Sequence, residues 1–123
     1  MKISTRTHGM LDYTMGIILI IAPWLFQFER GGTETWIFII LGAGVIFYSL
    51  LTNYELGAVR ILSMPTHLWL DGISGALLAL SPWLFGFADL VYLPHLIFGI
   101  LEVGAALMTE TTPGTSYTRK PVA

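Results

Sequence analysis

Four long apolar stretches constrain this chain more than any other feature of its sequence. Each is roughly 16–20 residues long, close to the ~20 residues that a helix needs to cross ~30 Å of hydrocarbon. The apolar residues run continuously instead of alternating, which is typical of helices and not of barrel strands. Of the 123 residues, 54% are hydrophobic and only 11% are charged. We therefore predict an all-α, four-helix transmembrane bundle with spans at about residues 10–28, 36–51, 68–87 and 91–108.

The sequence also contains an internal repeat, in which residues 7–28 align with residues 66–87. The aligned copies share a His, an Asp, a Gly and a Pro-Trp pair in register, which a common apolar composition does not supply. Each copy covers two spans, so both copies enter the membrane in the same direction, and we expect a pseudo-two-fold axis along the membrane normal. The repeated residues are His8 and His67, Asp12 and Asp71, Gly16 and Gly75, Pro23 and Pro82, and Trp24 and Trp83.

The repeat predicts a division of the chain into four segments. Residues 1–52 are the first repeat with two transmembrane helices, and residues 67–110 are the second. Residues 53–66 are a cytoplasmic link between them. Residues 111–123 are rich in Thr, Pro, Gly and Ser, a composition typical of a flexible tail, here cytoplasmic.

The repeated residues lie on one stripe of each helix, because spacings of four, four and seven residues return to nearly the same face. A stripe that carries His and Asp is expected to face the bundle interior, away from lipid. Gly16 and Gly75 lie on this stripe, and we expect them to let the two repeated helices approach each other closely. Gly42, Gly44, Gly99 and Gly104 are predicted to serve helix packing in the second and fourth spans.

The order His-x-x-x-Asp-x-x-x-Gly followed by Pro-Trp-Leu-Phe, present twice, resembles the SPW repeat family of small membrane proteins, named for a Ser-Pro-Trp motif. The resemblance covers about residues 7–110. The second copy has the full motif at Ser81, whereas the first has Ala22 in the place of the serine. The resemblance implies a multi-span membrane protein and implies no activity.

The repeated His and Asp residues form the main candidate polar cluster, which two-fold symmetry would assemble from His8, Asp12, His67 and Asp71. Three interpretations stay open. The residues could be structural, with each His bonded to its own Asp. They could form a proton, ion or polar-solute site. They could bind a metal, or the histidines a haem, since two His and two carboxylates suit zinc or iron.

Three further features carry predictions. Glu102 has no acidic counterpart in the first copy and joins the candidate cluster, either as one packing contact or as a proton-carrying carboxyl. His95 is expected at the outer interface. The Pro23-Trp24 and Pro82-Trp83 pairs are expected to kink the helices near their outer ends and to anchor them at the headgroups.

The remaining composition excludes several classes of function. A net charge of −2 without a basic block argues against nucleic-acid partners. The chain has no cysteine and no nucleotide, nucleophile or haem-attachment motif, so we predict no catalytic residue, no enzyme activity and no cofactor. The expected partners are the lipid bilayer and a second copy or another membrane protein.

The distribution of Lys and Arg predicts the orientation. Lys2, Arg6, Arg60, Arg119 and Lys120 fall on one side of the four spans, and Arg30 falls on the other. Cytoplasmic loops carry the excess of basic residues. We therefore predict a multi-pass protein of the cell inner membrane with both termini in the cytoplasm.

The leading functional hypothesis from the sequence is a non-enzymatic membrane module that packs with partners or with itself. A proton-linked channel or transporter that uses the His/Asp pairs and Glu102 is the second hypothesis. A haem- or metal-binding membrane protein is the third.

Overall fold

A computed structural model describes residues 2–114 of the chain. Four helices follow one another: α1 at Thr5–Leu25, α2 at Thr33–Leu50, α3 at Met64–Leu84 and α4 at Leu93–Met108. Within the described range, β pairing is limited to two isolated bridges. The predicted all-α four-helix bundle is therefore confirmed. Most of the predicted flexible tail, residues 115–123, lies outside the described residues.

The two repeats begin their helices in the same way. The Ser4 and Ser63 hydroxyls cap α1 and α3 by accepting hydrogen bonds from the backbone N–H groups of Thr7 and Thr66. The α1 helix consequently begins at Thr5, several residues before the apolar stretch that marked it in the sequence. His8 therefore lies within α1, in its first turn.

Glycines set the closest helix contacts, and these contacts run within each repeat. A Cβ built on Gly42 would lie 2.7 Å from the carbonyl oxygen of Gly16, and one built on Gly75 would lie 2.8 Å from that of Gly99. The expectation that Gly16 and Gly75 bring α1 and α3 together is wrong. Each instead packs on the antiparallel helix to which a short loop joins it.

Gly44 and Gly104 do not share this role, contrary to the prediction. A Cβ at either position would meet no atom within 4 Å. Both lie on the same helices as Gly42 and Gly99 but on other faces. A glycine on these helices therefore serves packing only where its face meets the neighbouring helix.

Equivalent contacts recur at the ends of the two repeats. Ile3 bridges to Thr109 at the end of α4, and Leu62 bridges to Thr52 at the end of α2. Thr109 therefore corresponds to Thr52, as Gly99 corresponds to Gly42. This register differs by two residues from that of the first helices, because the chain between Phe87 and Gly99 is shorter than that between Phe28 and Gly42.

The exterior of the bundle is apolar. Trp69 is 72% exposed and Leu107 is 77% exposed, and exposed large hydrophobic residues occur on all four helices. By length and composition, α1 and α2 qualify as membrane spans, and α4 is an apolar helix of 16 residues. An apolar surface of this extent in water would be a strong driver of association.

Candidate functional site

Four repeated side chains converge at one end of the bundle, and we call His8, Asp12, His67 and Asp71 the His/Asp cluster. Asp71 Oδ2 lies 2.7 Å from His8 Nε2 and 3.1 Å from His67 Nε2. Asp12 lies 3.1 Å from His8 Nε2 through Oδ1 and 3.0 Å from His67 Nε2 through Oδ2. Each helix of the repeated pair thus contributes one imidazole and one carboxylate, and each imidazole contacts both carboxylates.

All four cluster residues are buried, with exposures between 0 and 5%. One nitrogen or oxygen atom from each residue can be chosen so that all four atoms lie within 4.8 Å of one another. The inward orientation predicted for the repeated stripe is what brings them together.

The Nδ1 atoms of the two imidazoles face away from the carboxylates, and each has a threonine hydroxyl as its partner. His8 Nδ1 lies 2.7 Å from the Thr109 hydroxyl, and His67 Nδ1 lies 2.7 Å from the Thr52 hydroxyl. Each hydroxyl donates its single proton to the backbone carbonyl four residues earlier, at 2.5 Å for Thr109 and 2.7 Å for Thr52. Each Nδ1 must therefore be the donor to its threonine, and Nε2 is the nitrogen turned towards the carboxylates.

The Nε2 atoms of the two imidazoles are not equivalent. His8 Nε2 forms a hydrogen bond with Asp71 Oδ2. His67 Nε2 lies within 3.1 Å of an oxygen of each aspartate but meets the directional criteria of a hydrogen bond with neither. His67 Nε2 therefore contacts both carboxylates without a directed hydrogen bond to either.

Two tyrosines complete the surroundings of the carboxylates. The Tyr48 hydroxyl donates a short hydrogen bond to Asp71, and the Tyr54 hydroxyl donates to Asp12 Oδ2 at 2.8 Å. Tyr54 lies in the link between α2 and α3, where burial, reinforced by the charge of Asp12, raises the pKa of its phenol. The Tyr54 phenol is therefore a protonated donor at neutral pH.

Four residues of the site were not predicted from the sequence: Thr52, Thr109, Tyr48 and Tyr54. The two threonines are equivalent in the structure, but the alignment that revealed the repeat in α1 and α3 does not superimpose them. A second alignment, shifted by two residues for α2 and α4, would have paired them. Tyr48 and Tyr54 have no counterpart in the other copy, so no repeat signal was available for them.

Glu102 lies on α4 beside the His/Asp cluster but outside its hydrogen bonds. Its side chain is buried, with a residue exposure of 8%, and its Oε2 atom has no hydrogen-bond partner. It lines a cavity of about 500 Å³ together with His8, Asp12 and Asp71. The sequence grouped Glu102 with the cluster, and the structure places it in the wall of the adjoining cavity.

His95 is a correction to the sequence analysis. It was expected at the outer interface, but it is fully buried, and its Nε2 atom donates to the carbonyl oxygen of Glu34 at 2.8 Å. Rings of Phe28, Phe38 and Phe87 surround it, with centroids 4.5–5.1 Å away. Burial among aromatic rings at the opposite end from the cluster leaves no connection between His95 and the site.

The proline-tryptophan pairs lie in equivalent places. Pro23 and Pro82 are buried inside α1 and α3, near the end of each helix, and Trp24 and Trp83 are more than half exposed. The carbonyl oxygens of the prolines accept hydrogen bonds from Phe28 and Phe87 in the turns that follow. The anchoring role predicted for the tryptophans stays a prediction.

The fold and the site together define a class: an internally duplicated four-helix protein with an apolar exterior and a buried His/Asp cluster on its repeated helices. The model of the SPW repeat domain matches residues 6–109 of the chain. The chain therefore belongs to the SPW repeat family, as the resemblance of its motifs predicted. Family membership and the two helices of spanning length indicate a membrane protein.

Searches of curated proteins and of solved structures found no match to this chain. The function of the site must therefore be argued from its own geometry.

Proposed function

We propose that this chain is a non-enzymatic membrane protein whose His/Asp cluster binds one divalent transition-metal ion. The observation that carries the proposal is the convergence of two imidazole nitrogens and two carboxylates within 4.8 Å in a buried site. Imidazole and carboxylate are ligands that zinc, iron and manganese accept. The proposal takes up the third of the functions that the sequence left open.

The nitrogen-to-oxygen distances within the cluster are close to those between neighbouring ligands of a small tetrahedral ion. Bonds of ~2.0–2.1 Å to zinc place neighbouring ligand atoms about 3.3 Å apart. The nitrogen-to-oxygen separations in the cluster are 2.7–3.1 Å. These nitrogen-to-oxygen contacts would have to lengthen by a few tenths of an ångström, and the four candidate ligand atoms, which lie within 4.8 Å of one another, would have to adjust to a tetrahedron.

Residues around the cluster form hydrogen bonds with its four side chains, as the residues that orient metal ligands do in known metal sites. A metal-bound histidine usually donates its other ring N–H to an oxygen, which fixes the tautomer. Thr52 and Thr109 accept from Nδ1 in this way, because their own protons are committed to backbone carbonyls. Tyr48 and Tyr54 donate to the carboxylates and hold them in place.

Charge balance also supports binding. Both nitrogens of His8 are hydrogen-bond donors in the metal-free arrangement, to Thr109 and Asp71, so its imidazole carries a positive charge. If His67 is charged in the same way, two imidazolium groups neutralise two carboxylates. A divalent ion bound to neutral imidazoles gives the same zero total. Exchange of two protons for one ion therefore adds no net charge to a buried site.

Metal titration of the full chain in mild detergent tests the proposal. After treatment with a chelator, the protein should bind one Zn²⁺ per chain and release about two protons for each ion bound. Proton release is measured by calorimetry in buffers of different ionisation enthalpy. Asp12→Asn and His67→Ala should abolish binding, whereas Glu110→Gln, at an exposed carboxylate outside the cluster, should not alter it.

Two results would overturn the metal proposal. One is a folded, helical protein that binds no Zn²⁺, Fe²⁺ or Mn²⁺ at micromolar concentrations. The other is binding that survives Asp12→Asn. Either result would leave the cluster as a structural set of ion pairs, which was the first interpretation of these residues.

The leading sequence hypothesis, a module that packs with partners or with itself, is retained as a second proposal about the exterior of the bundle. The extensive exposed apolar surface favours it. We propose lipid as the main partner, with a second copy or another membrane protein on part of the surface. Native mass spectrometry from mild detergent should detect an assembly, and a strictly monomeric protein would contradict it.

Proton-linked transport stays a prediction, favoured only by Glu102, whose partnerless oxygen lies in the cavity beside the cluster. It predicts pH-dependent flux in liposomes. That flux should be lost in Asp12→Asn, Asp71→Asn or Glu102→Gln, and unchanged flux in all three would contradict it.

A further inference from the structure

The cavity beside the His/Asp cluster lies between α1 and α4 and has a volume of about 500 Å³. This volume is within the ~300–1,000 Å³ range of sites that bind small molecules. Its walls are mostly apolar, with Leu11 and Met15 on α1 and with Ile100, Leu101 and Met108 on α4. An apolar cavity with a few polar groups at one place is the usual form of a small-molecule site.

The cavity occurs at one of two equivalent seams between helices and not at the other. The seam between α2 and α3 corresponds to the seam between α1 and α4, and there Tyr48 takes the position that Ala105 has on α4. The ring of Tyr48 occupies this space and its hydroxyl bonds to Asp71. Ala105 instead lines the open cavity. The equivalent position is thus filled in the first copy and empty in the second.

A second difference between the copies puts a carboxyl group in the cavity. Glu102 corresponds to Val45 by the same register, and both residues line the cavity. Glu102 is more than nine-tenths buried, and its Oε2 atom has no hydrogen-bond partner. An unpaired carboxyl group in an apolar place costs free energy that a bound donor would offset.

The surrounding charges favour a cationic donor. Among the described residues that line the cavity, His8 is the only one able to carry a positive charge, and it already lies between Asp12 and Asp71. With His67 charged in the same way as His8, the His/Asp cluster is balanced within itself, and Glu102 is then the carboxyl group without a counter-ion. A ligand that brings one positive charge on an apolar body would match both the walls and the charge.

We propose that this cavity binds an amphiphile with an aliphatic tail and a protonated amine, and that the amine pairs with the carboxylate of Glu102. The tail lies against the apolar side chains of α1 and α4. The side chain missing at Ala105 provides the space. Exchange of two protons for one metal ion would leave the charge beside this site unchanged, so the amine can bind in either state of the cluster.

Native mass spectrometry of the full chain in mild detergent, with decylamine and decanol as matched probes, tests this proposal. We expect one decylamine per chain and at least tenfold weaker binding of decanol. Glu102→Gln keeps the shape of the side chain and should reduce decylamine affinity by about tenfold or more, to the level of decanol. Glu110→Gln removes a charge outside the cavity and should have no effect.

A second pair of variants tests the location. Ala105→Phe fills the cavity and should abolish binding of decylamine. Ala106→Phe adds the same side chain to the next residue of α4, which faces an outer groove with Trp69, and should leave binding intact. Circular dichroism and melting temperature establish that each variant is folded.

Three outcomes would overturn the proposal: equal affinity for decanol and decylamine, undiminished decylamine binding by Glu102→Gln, or equal effects of the two phenylalanine variants. If Ala105→Phe fails to fold, the comparison of Glu102→Gln with the wild-type chain decides by itself.

Discussion

Two threonine hydroxyls determine how the histidines of the site present their nitrogens. Each hydroxyl accepts from Nδ1 and donates to a carbonyl of its own helix, so it cannot also act as a donor to the ring. An imidazole held in this way turns Nε2 towards Asp12 and Asp71, and the lone pair of Nε2 becomes available to an ion when this nitrogen loses its proton. The chemistry of the cluster therefore depends on Thr52 and Thr109, although neither touches the place where an ion would lie.

Removing one of these hydroxyls should weaken the metal site. Thr109→Val keeps the shape of the side chain but leaves His8 Nδ1 without an acceptor, and we expect Zn²⁺ affinity to fall by about 10–100-fold. Thr109→Ser keeps the acceptor and should stay within a few-fold of the wild type. Competition with a chromophoric chelator measures both, and equal loss in the two variants would show that packing, not the hydrogen bond, is responsible.

The carboxylate of Asp71 should matter for stability as well as for binding. Its Oδ2 atom lies 2.7 and 3.1 Å from the two imidazoles, so Asp71→Asn leaves buried positive charge without its partner. Such losses cost about 3–5 kcal/mol. We expect a clearly lower melting temperature in metal-free detergent solution. Asp89→Asn, at an exposed position, should change the free energy of unfolding by less than about 0.5 kcal/mol.

At the scale of the helices, backbone contact at glycines holds each repeat together. The carbonyl oxygen of Gly75 lies 2.5 Å from the place where Gly99 would have a Cβ, and Gly16 and Gly42 meet in the same way. Small residues permit this approach, and close packing between helices is a main source of stability where lipid removes the hydrophobic contribution.

Adding a methyl group at these contacts should separate the helices. Gly99→Ala places a Cβ against the backbone of α3, and we expect a loss of about 1–3 kcal/mol in the free energy of unfolding. Gly104→Ala is the matched control on the same helix, since its Cβ would meet no atom within 4 Å. It should be neutral, or stabilising by up to about 1 kcal/mol through helix propensity. Chemical unfolding in detergent compares the two, and equal effects would contradict the packing of α4 on α3.

At the scale of the whole molecule, an apolar exterior surrounds a polar end. Trp69 and Leu107 are exposed, while the cluster, Tyr54 and the two threonines are buried between the helices. This inversion of the arrangement in water-soluble proteins suits a chain whose surroundings are lipid. It also requires the polar groups to satisfy one another, which the hydrogen bonds of the cluster largely do.

The basic residues predict how this molecule is oriented. Reporter fusions at the C-terminus should be active on the cytoplasmic side, and a reporter in the loop near Gly31 should be active on the outer side, because the excess of Lys and Arg lies at the end of the termini and the link. Alkaline phosphatase activity at the C-terminus would reverse the orientation. If the reporter at the C-terminus and the reporter near Gly31 were found on the same side of the membrane, the four-span arrangement would be contradicted.

More of the fold than of the site could be predicted from the sequence. The four helices and the inward stripe of His8, Asp12 and their repeats follow from local patterns of hydropathy and helical spacing. The partner of Gly16 and the burial of His95 were predicted wrongly. Both depend on which helix lies opposite, and a pattern within one helix carries no information about its neighbour.

The sequence by itself determined the duplicated helical fold and the family, because repeats, periods and motifs are properties of the chain in order. Only the tertiary structure decided that Thr52 and Thr109 hold the histidines, that Gly16 meets Gly42, and that a cavity opens beside Glu102. The physical reason is register. Loop lengths and glycine contacts set how far α2 and α4 slide along α1 and α3, and a shift of two residues changes every side chain that meets across those seams.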